Sequence, residues 1–361
     1  MTGFAGSYDP ADVTFLLKPV AMEPTAVAEK EALIQSGARH YSEMIGPEHD
    51  ASPAYLAAYE SALEANGGRL ARDLVTLAGI VHARVPEGPV WLVSLARAGT
   101  PVGALVGRAL RGRFGRDARH VSVSVIAGRG VDDNALDHLR GPLGAADGAV
   151  VFVDGWTGKG VIAAELARAV AAYNASRGAS LDPTLHVVAD LCGVTAAAAT
   201  TDDYVIPSCL LGATVSGLVS RSILNDAVVG PRDFHACRYY AELAPVDRSR
   251  SFLDAIFARM RSVDDVPAPP SRDLAAERER ARGALEAFRR AHDVASPAMV
   301  KPGIGEATRV LLRRVPRRLV VRDRGDPQVR ATLTLAEEKR VPVGEDPSLP
   351  WAALALIEER R

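Results

Sequence analysis

The chain has 361 residues, of which 48% are hydrophobic and 24% are charged, and this composition is typical of a soluble globular protein of roughly two domains. A formal net charge of −1 excludes a protein-wide basic field, so any site for nucleic acid has to be a local patch. The three cysteines lack C-x-x-C spacing, which argues against a disulfide framework or a zinc site. Because there is no signal-peptide pattern and no long apolar run, we expect a cytoplasmic protein without a membrane partner.

The first 88 residues predict a short apolar run at residues 13–19, a helix at residues 23–38 and helical core packing at residues 53–83. The polar cluster at residues 40–44 is interpreted as the capped, solvated start of a helix, although such clusters also mark sites. The sequence of this region therefore indicates helices packed in the core more than a catalytic or binding site.

Residues 89–103 predict a strand, a tight turn and a helix. In a parallel sheet, a turn of this kind lies at the carboxyl edge, where ligands bind. The turn carries a cation, a glycine and a hydroxyl, and it resembles the pyrophosphate loop of phosphoribosyltransferases, which implies that its backbone N–H groups face a diphosphate. Its residues are Arg97, Ala98, Gly99 and Thr100.

A strand is predicted at residues 121–126, and a glycine turn that carries Arg129 follows it. Asp132 or Asp133 is expected to cap the helix after this turn. Since a loop at this edge could also cover a substrate, Arg129 is a candidate binding residue.

Residues 150–170 again predict strand, turn and helix, with an acid where the strand ends. Val153 and Gly160 exclude the P-loop of nucleoside triphosphatases, which needs a glycine and a hydroxyl residue at those positions. The turn instead resembles the loop of type I phosphoribosyltransferases, where a carboxylate holds the ribose hydroxyls and the turn holds the 5-phosphate of phosphoribosyl pyrophosphate. An ordinary strand-to-helix turn is the alternative interpretation. The candidate binding residues are Asp154, Gly155, Trp156, Thr157, Gly158, Lys159 and Gly160, with Asp154 and Lys159 as the catalytic candidates.

Further strands are predicted at residues 184–189 and 202–206. Cys209 or Cys237, with His235 as the base, would supply the parts of a thiol nucleophile. Free cysteine is more often a small core residue, so the thiol site is the less favoured hypothesis.

The last hundred residues predict an extended linker at 264–270, a solvated bridging helix at 272–292 and a small α/β unit. A local basic patch surrounds the start of that unit. Its turn resembles the RNA-contacting turn of Pelota and kink-turn-binding domains, while a solvated basic helix is the alternative. The candidate RNA-binding residues are Lys301, Gly303, Gly305, Glu306 and Arg309.

The chain as a whole resembles the bacterial StiP family. The strings that carry the resemblance lie at residues 17–19, 40–44, 94–101, 153–160 and 216–221. The family implies a Rossmann-like phosphoribosyltransferase domain with a mainly parallel sheet at residues 1–262, a linker and bridging helix at 263–296, and a Pelota-type domain at 297–361. It also implies an association with tellurite resistance and stress, and it carries the label cysteine protease.

We therefore expect phosphoribosyl transfer, with a phosphosugar or nucleotide substrate and a Mg²⁺ ion bound near Asp154. A cysteine hydrolase and a non-catalytic nucleotide sensor that couples to RNA stay open as alternatives. A homodimer also stays open.

Overall fold

The computed structural model describes residues 2–48 and 51–359 and contains two large sheets with helices packed on them and two short strand pairs. The first sheet has six strands, all parallel, in the order β1-β4-β3-β7-β8-β9. These strands are β1 (Thr14–Phe15), β3 (Val90–Leu95), β4 (Ala118–Val123), β7 (Val150–Thr157), β8 (Leu185–Asp190) and β9 (Ala198–Thr200).

The apolar runs form strands because the sheet is covered on both faces. Every residue of β7 is buried, and successive side chains enter two different apolar clusters, with Val151 and Val153 in one and Phe152 in the other. This alternation is the two-residue period of a strand. Helices supply the covering layers, and those of the first part are α1 (Val27–Gln35), α2 (Pro53–Arg84), α3 (Thr100–Phe114), α4 (Asp133–Arg140), α5 (Val161–Arg177) and α6 (Ser249–Met260).

Two short strand pairs lie outside the main sheet. In one pair β2 (Lys18–Pro19) runs parallel to β10 (Ala236–Cys237). In the other, β5 (Val125–Ile126) is antiparallel to β6 (Gly130–Val131).

The C-terminal part forms a four-stranded mixed sheet in the order β11-β14-β12-β13. One apolar cluster contains residues of both parts, including Trp156 and Val188 of the first and Ile304 and Ala307 of the second. The two parts therefore share a core. The elements of this part are α7 (Leu274–Ala291), β11 (Val300–Pro302), α8 (Ile304–Arg313), β12 (Pro316–Val321), α9 (Arg330–Glu338), β13 (Val343–Glu345) and β14 (Ala353–Ile357).

The α/β class with a mainly parallel central sheet is confirmed. Asp132 is the residue that caps α4, because its carboxylate accepts a hydrogen bond from the Ala135 N–H at 3.1 Å. The domain boundaries stay predictions. Within residues 2–48 and 51–359, no helix combines the length and the apolar character needed to cross a membrane.

The strand expected at residues 202–206 is wrong, since that segment is irregular. Its polar groups are used for a different contact. The Asp203 carboxylate accepts hydrogen bonds from the backbone N–H of Ile304 at 2.9 Å and of Ala352 at 2.8 Å. Burial raises the pKa of Asp203 to about 6, against the opposing effect of these hydrogen bonds. This side chain therefore joins the first part to the second.

We predict that Asp203→Ala lowers the free energy of unfolding by about 1–3 kcal/mol, because it leaves two enclosed N–H donors without an acceptor. The urea midpoint measured by circular dichroism tests this. Asp202→Ala is the matched control, because the exposed Asp202 forms only a surface ion pair with Arg69. Equal midpoints for the two variants would contradict the assigned role.

Candidate functional site

A cavity of about 370 Å³ lies between the turn after β7 and the first turns of α8. Among the described residues, its wall is strongly cationic, with eight basic side chains against three acidic ones. The basic residues are Lys30, Arg97, Lys159, Arg221, Lys301, Arg309, Arg313 and Arg314, and the acidic ones are Glu31, Asp154 and Glu306. This charge balance suits an anion.

Asp154 was expected where the strand ends, but β7 continues through Thr157, so Asp154 lies within the strand, where it is 9% exposed. Its Oδ1 accepts a hydrogen bond from the Gly155 N–H at 2.7 Å. Burial raises the pKa of this carboxyl to about 6, although the Arg309 guanidinium and the Gly155 N–H both favour the carboxylate. Asp154 is therefore an enclosed acid that faces a cation of the C-terminal part.

Trp156 forms the contact between the two parts at this cavity. Its indole N–H donates to Glu306 Oε1 at 3.3 Å, and the Arg309 guanidinium carbon lies 4.2 Å from the indole ring centroid. Arg309 also donates to the same Glu306 oxygen at 2.6 Å. The three side chains form one network in which a cation rests on an aromatic face.

Most residues of the predicted phosphate turns line this cavity, but four do not. Thr100 bonds the Ser122 hydroxyl at 2.8 Å in the core, and a Cβ on Gly99 would lie 2.7 Å from the Val153 carbonyl oxygen. Gly155 is buried within β7, and Arg129 pairs with Glu43. Ligand binding by these four residues stays a prediction, and Gly99 and Thr100 also have a packing role. The turn residues that do line the cavity are Arg97, Ala98, Asp154, Trp156, Thr157, Gly158, Lys159 and Gly160.

The predicted RNA-binding turn is packed against the first part of the chain. A Cβ on Gly303 would lie 2.2 Å from a Leu191 methyl carbon, and one on Gly305 would lie 2.5 Å from the Trp156 indole. Lys301, Glu306 and Arg309 line the cavity. These glycines thus permit close approach between the two parts, a role that their spacing alone did not distinguish from base contact.

The two thiols considered from the sequence are enclosed. Cys209 borders a cavity of only about 10 Å³, and Cys237 is fully buried in β10. Burial raises the pKa of each thiol to about 12. His235 does not serve either of them as a base in this structure, because its Nδ1 bonds the Ser124 hydroxyl at 2.8 Å.

Cys192 is the thiol that sequence reasoning missed. It follows β8 and lines a second cavity, of about 640 Å³, together with Lys159. Burial, together with the neighbouring Lys301 ammonium, lowers the pKa of Lys159 to about 8. Burial and Asp190 raise the pKa of Cys192 to about 12, against the opposing effect of Lys159. The sequence signal for this pair is that Lys159 and Cys192 each follow an apolar strand with an acid near its carboxyl end, Asp154 in β7 and Asp190 in β8.

Within residues 2–48 and 51–359, no group of three or more His, Cys, Asp or Glu side chains could hold a metal ion. The Mg²⁺ ion expected near Asp154 stays a prediction, which was made together with the prediction of a diphosphate substrate.

Residues 6–257 match the family described as tellurite-like stress resistance cysteine protease StiP, and residues 279–359 match the PELOTA RNA binding domain. The chain is 36% identical over 373 aligned positions to the cysteine protease StiP of Acinetobacter baylyi (strain ATCC 33305 / BD413 / ADP1), covering 99% of this chain and 95% of that protein. Among solved structures, the cysteine desulfurase CsdA of Escherichia coli covers 95% of this chain and 89% of its own at 13% identity and a TM-score of 0.24. A superposition at that TM-score supports no inference about fold or function.

The resemblance drawn from the sequence motifs is confirmed, whereas the phosphoribosyltransferase activity is wrong. Both the matched family and the relative from Acinetobacter are described as cysteine proteases. The expected binding of phosphoribosyl pyrophosphate is therefore withdrawn with the transfer reaction. The sequence of the turn after β7 had predicted a bound anion. Binding an anion does not determine which reaction a site catalyses.

We predict that Gly305→Ala destabilises the protein by about 1–3 kcal/mol, because the added methyl group would overlap the Trp156 indole. Gly283→Ala in α7 is the control, since a Cβ there meets no atom within 4 Å. Replacing a helical glycine should stabilise that variant by roughly 0.5–1 kcal/mol. Urea midpoints that shift upward for both variants would show that α8 does not press against Trp156.

Proposed function

The chain belongs to the StiP family, and on that premise we propose that it is a cytoplasmic thiol-dependent peptidase of a stress response whose C-terminal part binds RNA. Family membership supports the peptidase activity and the stress association, and the Pelota match supports RNA binding. The finer assignment of the parallel sheet to a Rossmann-like phosphoribosyltransferase fold is not needed for this proposal.

The position of Cys192 is the observation that carries the peptidase proposal. Of the three cysteines, it alone lines a cavity large enough for part of a peptide, and Lys159 lines the same cavity. Asp190 Oδ1 accepts a hydrogen bond from the Cys192 N–H at 3.1 Å and so fixes the backbone of the thiol. We therefore assign Cys192 as the nucleophile and Lys159 as the base; the Lys159 amine donates a hydrogen bond to the Pro297 carbonyl oxygen on the wall of the same cavity.

The pKa values of the pair require general-base catalysis in place of a preformed thiolate. With a thiol pKa of about 12, Cys192 is protonated at neutral pH, while Lys159 with a pKa of about 8 is partly neutral. The neutral amine accepts the thiol proton as Sγ bonds to the peptide carbonyl carbon. Lys159 then returns this proton to the leaving amine as the C–N bond breaks. Water hydrolyses the thioester and releases the thiol.

RNA binding is proposed for the exposed face of the C-terminal part. Arg317 and Arg318 are exposed at the start of β12, whereas Lys301 and Arg309 point into the cavity beside Trp156. RNA phosphates can reach the first pair without any separation of the two parts. A small-molecule phosphosugar or nucleotide partner and a homodimer stay predictions.

We predict that Cys192→Ala abolishes cleavage of fluorescein-labelled casein by the full-length protein, while Cys209→Ser and Cys237→Ser retain it. Circular dichroism establishes that each variant is folded. Wild-type cleavage by folded Cys192→Ala, or a loss restricted to Cys209→Ser or Cys237→Ser, would remove Cys192 from the nucleophile position.

The base is tested separately by Lys159→Met, which should lower kcat by roughly 10²–10⁴-fold. Lys159→Arg keeps the charge but cannot accept a proton near neutral pH, so it should be equally inactive. Wild-type activity should rise with pH through about 8, because deprotonation of Lys159 creates the base. Activity that falls over that range, or that survives in Lys159→Arg, is incompatible with this role.

For RNA, the double variant Arg317→Ala, Arg318→Ala should weaken binding of a labelled RNA hairpin and lower the salt slope by roughly one per phosphate contact removed. Arg72→Ala, an exposed arginine of α2, is the control. Arg309→Ala should have a smaller effect because Arg309 is held by Glu306 and Trp156. A larger loss for Arg309→Ala than for the double variant would place the RNA at the turn before α8.

A further inference from the structure

Three arginines from distant segments meet where two cavities adjoin. Arg97 follows β3, Arg221 lies in the irregular segment before β10, and Arg313 is the last residue of α8. All three line both the 370 Å³ cavity and a neighbouring cavity of about 280 Å³, and Lys30 of α1 lines both as well. Four cations therefore share one wall.

The hydrogen-bonding groups of these arginines are incompletely used. Arg97 donates to Glu48 Oε1 and to the Val219 carbonyl oxygen, both at 2.8 Å, but its buried Nε has no partner. Within the described ranges, the Arg313 side chain forms no hydrogen bond or ion pair, and the contact of the Arg221 side chain is with the Tyr41 ring at 5.8 Å. Arg221 and Arg313 thus present free guanidinium donors to the cavities, and Arg97 adds a buried charge to the same wall.

The carboxylates that face these four cations do not neutralise their charge. Glu48 is bonded to Arg97 and to the Ala213 N–H at 2.8 Å, and Glu31 is held by Arg314 at 2.6 and 2.7 Å. Burial and the neighbouring arginines lower the pKa of Arg221, lower that of Arg313 strongly, and lower that of Lys30 to about 6. An enclosed excess of positive charge is costly unless an anion accompanies it.

We propose that a small doubly charged oxyanion, such as a phosphate group, binds between Arg97, Arg221 and Arg313. Planar guanidinium groups match the oxygens of phosphate in bidentate hydrogen bonds. The oxyanion has two sources with the same chemistry, a free inorganic ion and the phosphate group of an ester. The cavity that continues toward Asp154 has room for the organic part of an ester.

The bound anion also links the two parts of the chain. Arg313 belongs to α8 in the C-terminal part, whereas Arg97 and Arg221 belong to the first part. An anion held by all three adds contacts across the junction, so it should raise the thermal midpoint of the whole protein. This site is separate from the thiol, and its binding does not depend on peptidase activity.

Isothermal titration calorimetry on the full chain at low salt tests the site, with inorganic phosphate and adenosine 5′-monophosphate as probes. We expect at least one probe to bind, and Arg221→Gln and Arg313→Gln each to lose affinity by about tenfold or more. Binding of both probes indicates a free oxyanion site, and binding of the nucleotide alone indicates an ester. Arg330→Gln, which removes an exposed arginine of α9, should bind as the wild type does.

Thermal unfolding supplies a second readout that an ordinary structural arginine would not show. Without phosphate, Arg313→Gln should be no less stable than the wild type, because an unpaired enclosed cation has been removed. Phosphate should raise the midpoint of the wild type and of Arg330→Gln but not that of Arg313→Gln. The proposal is overturned if neither probe binds at millimolar concentration, if both variants bind as the wild type does, or if only RNA affinity responds to Arg313→Gln.

Discussion

The packing of α8 against Trp156 determines the geometry of the cationic cavity. Gly305 lacks a Cβ, so the helix approaches the indole closely enough for Glu306 to accept its N–H and for Arg309 to lie on its face. Asp203 fixes the start of the same helix by accepting the Ile304 N–H. Because α8 is held at both of these points, its later residues are carried across the carboxyl edge of the sheet. The cavity is the space left between that edge and the helix.

This packing sorts the cations of the C-terminal part into two groups. Lys301, Arg309 and Arg313 face the enclosed cavity, whereas Arg317 and Arg318 remain in contact with solvent. Solvent screens the second group, and they can exchange small ions for the phosphates of a long polyanion. The positive charges of the first group repel one another in the cavity, where little solvent screens them. A basic patch that is continuous in sequence thus becomes two surfaces of different chemistry, one suited to RNA and one to a small anion.

The local features of the fold could be predicted from the sequence, because they depend on near neighbours. The β7 strand follows from its apolar run, and the cap of α4 follows from the position of Asp132. Long-range packing could not be predicted. Gly99 and Gly305 were both predicted to contact ligands, which stays a prediction, and each also accommodates a distant group, Val153 and Trp156 respectively. A glycine signals close approach, but the sequence does not show what approaches. Cys192 was missed for the same reason, since its neighbour Lys159 follows a different strand of the sheet.

Lys159 belongs to both proposed sites, the anion site and the thiol site, because it lines both the cationic cavity and the cavity of Cys192. Its pKa of about 8 results from burial and from Lys301, and Glu306 opposes both effects. The free amine proposed to accept the Cys192 proton therefore results first from burial and second from the Lys301 ammonium. Lys159 lies on the wall that the two cavities share. A ligand that extended from Arg97, Arg221 and Arg313 as far as Lys159 would therefore also contact the wall of the thiol cavity.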